Sequence, residues 1–164
     1  MTYLSARGEA ASIRGRVRVV GLDVGKRRIG VAISDATRTL ARPLTVLQIA
    51  RLDAAAVVRA ADEIGRLAGE EDGVSAIVVG LPRRLDGRPT DLTAGVQSFA
   101  SKLGARTGLP VALQDERLTS VEAESRLAES DKDWRSRKKR LDAAAAAIIL
   151  QDHLDGLPRR CDFS

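Results

Sequence analysis

Val19-Val20-Gly21-Leu22-Asp23-Val24-Gly25-Lys26-Arg27-Arg28-Ile29-Gly30-Val31-Ala32-Ile33-Ser34-Asp35 is the stretch that decides the fold. One carboxylate, Asp23, stands inside an apolar, strand-like run with Gly21 and Gly25 on either side. A lone acid is seldom buried without a partner or a cation. Glycine lets a backbone, a phosphate or an ion come close. Gly25 closes the first run, Lys26-Arg27-Arg28 reads as a tight turn, and residues 29–34 read as a second strand. So short a connection implies an antiparallel hairpin.

Outward from the hairpin, residues 39–49 form a third strand candidate, and Pro43 within it points to an edge position or a bulge. Residues 53–68 are a helix with Asp53 as N-cap, since Val57, Ala60, Ile64 and Leu67 recur at helical spacing. Residues 75–80 are a continuous apolar strand, as expected where helices cover both faces of a sheet. The loop from 81 to 89 carries Arg83, Arg84 and Arg88, with Pro82, Asp86-Gly87 and Pro89 as turn signals. Thr90 or Asp91 then caps a helix with the stripe Leu92, Val96, Phe99 and Leu103. A short strand at 110–114 runs into Asp115-Glu116-Arg117. Thr119-Ser120-Val121-Glu122 has capping-box form and opens a helix to about residue 129. Residues 130–140 read as a polar, mobile segment, and the last helix spans about 141–154. The order β-β-β-α-β-α-β-α-α gives an α/β class: a mixed sheet of three antiparallel then two parallel strands with helices on its faces.

The chain has 164 residues and reads as one domain over 17–157, with a flexible extension at 1–16 and a tail at 158–164. Net charge is +5 and the pI is near 10.0, which favours an anionic partner, nucleic acid first. Aromatic residues make up only 2%, too few for a base-stacking platform, so nucleic-acid binding must rest on phosphate contacts. One cysteine, Cys161, allows no disulfide framework, which fits a reducing cytosol and a cytoplasmic protein. No apolar run approaches the ~20 residues a membrane span needs.

Three carboxylates stand out by context: Asp23 in the first strand, Glu116 after the last, and Asp142 at the start of the last helix. If the fold brings them together, a basic protein needs a hard cation there, Mg²⁺ or Mn²⁺. Carboxylate-held cations activate water and stabilise the leaving oxygen in phosphodiester cleavage. One His and one Cys cannot build a common zinc site. Simpler readings compete. Backbone amides at a bulge could satisfy Asp23, Glu116 could be a solvated strand end, and Asp142 suits a helix N-terminus, the reading that spacing alone favours. Lys26 and Arg27 could hold a phosphate or only form a hairpin tip. The run Arg135, Arg137, Lys138, Lys139 and Arg140 lies just before Asp142, where phosphate contact is plausible.

Four motifs in order resemble the YqgF (RuvX) family: residues 21–35, Val78-Val79-Gly80-Leu81-Pro82 with Asp86-Gly87, residues 115–123, and Leu141-Asp142-Ala143-Ala144-Ala145-Ala146. The resemblance spans about residues 17–155. It implies a ribonuclease H-like fold and metal-dependent hydrolysis of phosphodiesters in a Holliday junction or in the precursor of 16S rRNA. By position it implies Asp23, Glu116 and Asp142 as catalytic and metal-binding residues. It also implies a basic contact near Lys138 to Arg140, and Arg117 joins the candidate nucleic-acid contacts. A fourth carboxylate, common in such nucleases, has no clear counterpart where Ala145 and Ala146 stand. Oligomeric state is open between monomer and homodimer. Two other readings compete: an ATPase or sugar kinase sharing the Asp-x-Gly hairpin, and a non-catalytic module that binds nucleic acid or ribosomes.

Overall fold

The computed structural model describes residues 17–116 and 134–157, the last helix through the backbone alone over 134–140. Its elements are β1 (Arg18–Val24), β2 (Arg28–Ser34), β3 (Ala41–Gln48), α1 (Ala54–Ala68), β4 (Val74–Leu81), α2 (Thr93–Thr107), β5 (Val111–Asp115) and α3 (Trp134–Gly156). The five strands form one sheet in the order β3-β2-β1-β4-β5. The first three pair antiparallel, while β4 pairs parallel to β1 and β5 parallel to β4. This is the mixed sheet expected from the sequence. Strand β3 is an edge, and its register with β2 shifts beside Pro43, which pairs with Ala32 while Thr45 pairs with Val31.

Side chains alternate across a strand, and the sheet divides accordingly. Val20, Leu22 and Val24 of β1 point to one face, with Ile29, Val31 and Ile33 of β2 and Ile77, Val79 and Leu81 of β4. Helices α1 and α2 cover that face through Val57, Ile64, Leu67, Val96, Phe99 and Leu103. The opposite face presents Val19, Ala32 and Val78, packed by Ala146, Ile149, Leu150 and Leu154 of α3. Asp53 caps α1 as expected, its Oδ1 accepting from the amides of Ala55 and Ala56 at 3.0 and 3.2 Å.

Three local expectations change. Helix α2 has Leu92 as its N-cap, without a side-chain cap. Thr90 and Thr93 instead bond to each other, and Thr93 Oγ1 donates to the Pro82 carbonyl at 2.6 Å, tying the helix start to the end of β4. The last helix begins at Trp134 rather than near 141. The basic run that reads as a loop is helical, because Lys and Arg are good helix formers whatever their charge. Asp142 therefore lies two turns into α3, so the macrodipole no longer accounts for it. The helix expected at 119–129, the segments 1–16 and 158–164, and Arg117 lie outside the described residues.

Candidate active site

The hairpin places the first acid. Val24 pairs with Ile29, the Gly25 amide donates to the Arg28 carbonyl at 2.8 Å, and Lys26 and Arg27 form an exposed tip. In the same register Asp23 stands opposite Gly30, on the α3 face. A Cβ on Gly30 would collide with the backbone carbonyl of Asp142. The missing side chain is thus what lets α3 approach the sheet, and that approach delivers Asp142 beside Asp23.

Glu116 arrives from the other side. Its amide donates to the Leu81 carbonyl at 3.2 Å, continuing the β4–β5 ladder by one residue. Its side chain lies over Gly80, where a Cβ would stand 3.1 Å from Oε2. The Asp23 and Glu116 carboxyls lie within hydrogen-bonding reach of each other. Burial, then the charge of Asp23 and the hydrogen bond to it, push Glu116 up to about 9. Burial also raises Asp23 to about 6, with the bond from Glu116 opposing and the charge of Asp142 adding. Two buried carboxyls in contact cannot both ionise cheaply, so they share a proton. Glu116 Oε2 is buried and has no hydrogen-bond donor among the described residues.

Asp142 is close enough for its charge to act on Asp23, but its Oδ2 accepts from Arg28 Nε at 2.6 Å. Among the described residues, no cluster of three or more Asp, Glu, His or Cys side chains is gathered around one point. The three acids expected to form one set thus stand as a pair and a neighbour. An open cleft of about 210 Å³ is lined by Asp23, Gly25, Lys26, Arg27, Arg28 and Asp142. The Asp23–Glu116 pair, with a buried oxygen lacking a partner, suits a hard divalent cation that takes oxygen ligands.

The other basic candidates divide. Lys26 and Arg27 border the cleft. Arg83 bonds Asp115 at 3.0 Å and the Gly87 carbonyl at 3.2 Å, and Arg88 bonds Asp86 at 2.8 Å, so both brace their own loop. Arg84 is exposed at the tip of that loop. Arg137, Lys138, Lys139 and Arg140 fall on α3, N-terminal to Asp142. Arg28 is the residue that sequence reasoning passed over. It reads as part of a turn, yet it opens β2 and shares the parity of Gly30 and Ala32, which aims it at α3.

A family model described as "RuvX: Holliday junction resolvase" matches residues 17–156. The chain belongs to the RuvX family. A Chloroflexus aggregans relative named "Putative pre-16S rRNA nuclease" is 44% identical over 137 residues, covering 84% of this chain and 92% of its own. An Anaeromyxobacter relative of the same name is 42% identical over 142 residues, covering 85% and 98%. Among solved structures, T. thermophilus RuvC in complex with a Holliday junction substrate is similar at 18% identity and a TM-score of 0.47, covering 84% of this chain and 93% of that one. As a RuvX member the chain is a nuclease. No helix among the described residues of this RuvX protein is long and apolar enough to cross a membrane.

Proposed function

We propose that this RuvX protein is a divalent-metal-dependent endonuclease whose centre is the Asp23–Glu116 pair, acting on structured nucleic acid. The observation that carries this reading is the buried carboxyl pair, its Glu116 Oε2 without a donor among the described residues, set beside a cleft rimmed by Lys26, Arg27 and Arg28. With both carboxyls ionised, such a pair destabilises the fold unless a cation neutralises it. The names of the relatives support the 5′ flank of pre-16S rRNA as the substrate, and the family description supports a four-way DNA junction as the alternative.

Asp23 and Glu116 would hold a Mg²⁺ or Mn²⁺ ion, with Asp142 as the adjacent third acid. A cation held there supplies a more acidic bound water and charge stabilisation for the leaving oxygen. The remaining work falls to the chain itself. Glu116 keeps a proton near neutral pH when no cation is present, which limits repulsion with Asp23. Lys26 and Arg27 offer cationic heads at the mouth of the cleft, where phosphates would enter. Buried Val24 and Ile29 fix the hairpin that carries them.

Two substrates test this: an RNA bearing the small-subunit precursor flank, and a four-way DNA junction, each with Mn²⁺. Cleavage of the RNA by wild type but not by Asp23→Asn is expected. Equal Mn²⁺-dependent cleavage by both proteins would overturn the assignment of the centre, and cleavage of the junction alone would move the substrate to DNA.

A further inference from the structure

Arg28 has a position that a hairpin turn does not require. Its Nε holds Asp142 Oδ2 at 2.6 Å, bridging β2 to α3, with the two side chains 27% and 24% exposed. It lines the same cleft as Asp23, Lys26 and Arg27. Its Nη1 and Nη2 make no hydrogen bond among the described residues. A guanidinium is a planar fork that can grip a carboxylate or a phosphate, and it stays charged throughout the accessible pH range. Among the described residues, Asp142 is thus the one acid of the three with a counter-ion, and that counter-ion has donors to spare there.

We propose that Arg28 is a positioning residue that occupies Asp142 in the cation-free protein and exchanges it for a substrate phosphate when a divalent cation reaches Asp23 and Glu116. The proposal rests on the metal-dependent reading above. It explains why the third acid stands beside the pair without joining it. Arg28 holds Oδ2 and draws the Asp142 carboxylate toward itself, so turning that carboxylate to a cation at the pair weakens the bond. The cation therefore competes with Arg28, and release of Arg28 leaves a cationic fork in the cleft. An ion pair of this exposure is worth only a fewfold in an equilibrium constant, so the exchange is within reach of cation binding. The device links cation binding to phosphate binding through one side chain.

The test measures Mn²⁺ affinity by calorimetry on the full chain, for wild type, Arg28→Gln and Arg28→Lys. A second arm measures affinity for a blunt RNA duplex with Ca²⁺ in place of Mn²⁺. Arg28→Gln is expected to bind Mn²⁺ about two- to fivefold tighter and the duplex several-fold more weakly. A merely structural role would move both affinities down together. Mn²⁺ affinity in Arg28→Gln that is unchanged or weaker than wild type would overturn the exchange while leaving the metal centre intact. Failure of wild type to bind Mn²⁺ would overturn the centre itself, and the exchange with it. If Arg28→Gln does not fold, Arg28→Lys keeps the charge without the fork. It should retain wild-type Mn²⁺ affinity and lose duplex affinity, and full duplex affinity would refute the phosphate role.

Discussion

On one face of the sheet stand Leu22, Ile29, Ile33, Ile77 and Val79; on the other stand Gly21, Gly30, Ala32 and Gly80. The first face is filled by its own large side chains, with α1 and α2 laid over them. The second is hollowed, so that one helix, α3, comes down onto the backbone. A Cβ on Gly21 would lie 2.7 Å from Leu150 Cβ, and one on Gly80 would lie 2.5 Å from Ile149 Cδ1. The acids Asp23 and Glu116 emerge only on this second face, where the close approach of α3 also sets Asp142. The aliphatic face supplies stability, and the glycine face gives up packing volume to bring backbone and carboxyls together.

Substitutions on the two faces should therefore fail differently. The largest loss of stability is expected from Leu22→Ala, fully buried on the aliphatic face, at about 2–5 kcal/mol in denaturant unfolding. The fraction that stays folded should keep its Mn²⁺ affinity. Gly30→Ala should also destabilise, by at least about 1–3 kcal/mol, because the α3 backbone must shift to admit a Cβ. It should abolish cleavage, because it adds one methyl group where the Asp142 carbonyl stands. If Gly30→Ala cleaved normally while Leu22→Ala did not, the division of labour between the faces would be wrong.

Glu116→Gln should act in the opposite direction. It removes a buried acid that repels Asp23, so the metal-free protein should gain about 1 kcal/mol at alkaline pH, or roughly 2–4 °C in Tm. Activity should be lost in the same variant. The same pair also sets the pH dependence of wild type without metal. Both carboxyls have folded-state values above their ordinary ones, so the native state binds more protons than the unfolded chain. The pair's contribution to stability should then be greatest at low pH and be lost as pH rises, through about 6 for Asp23 and about 9 for Glu116. Thermal melts across that range should show the decline, and Mn²⁺ should flatten it. Stability that rises over the same range would contradict the buried pair.

Much of this was legible in the sequence, for reasons that differ by element. The hairpin, the apolar run of β4 and the Asp53 cap follow from local rules, since spacing and turn length act within a few residues. Asp23 is legible because an acid between Leu22 and Val24, in an apolar run, conflicts with its surroundings. Family resemblance named Glu116 and Asp142, whose settings in sequence were ambiguous. The Arg28–Asp142 bond joins residues 114 positions apart, and nothing local announces it. The pair Arg83–Asp115, 32 positions apart, is hidden in the same way, and the local pair Arg88–Asp86 is hidden because a charge run does not say which charges are already matched. The early start of α3 is hidden because a dense charge run looks like a loop, while the helix propensity of Lys and Arg prevails in the fold.

The central claim is that Asp23 and Glu116 form one protonated pair awaiting a cation. Calorimetric titration with Mn²⁺ at about pH 8, in two buffers of different protonation enthalpy, reads it directly, because a cation must displace the proton the pair holds. The account predicts release of about one proton per bound Mn²⁺, abolished in Glu116→Gln. Mn²⁺ binding without proton release, or binding undiminished in Glu116→Gln, would contradict it.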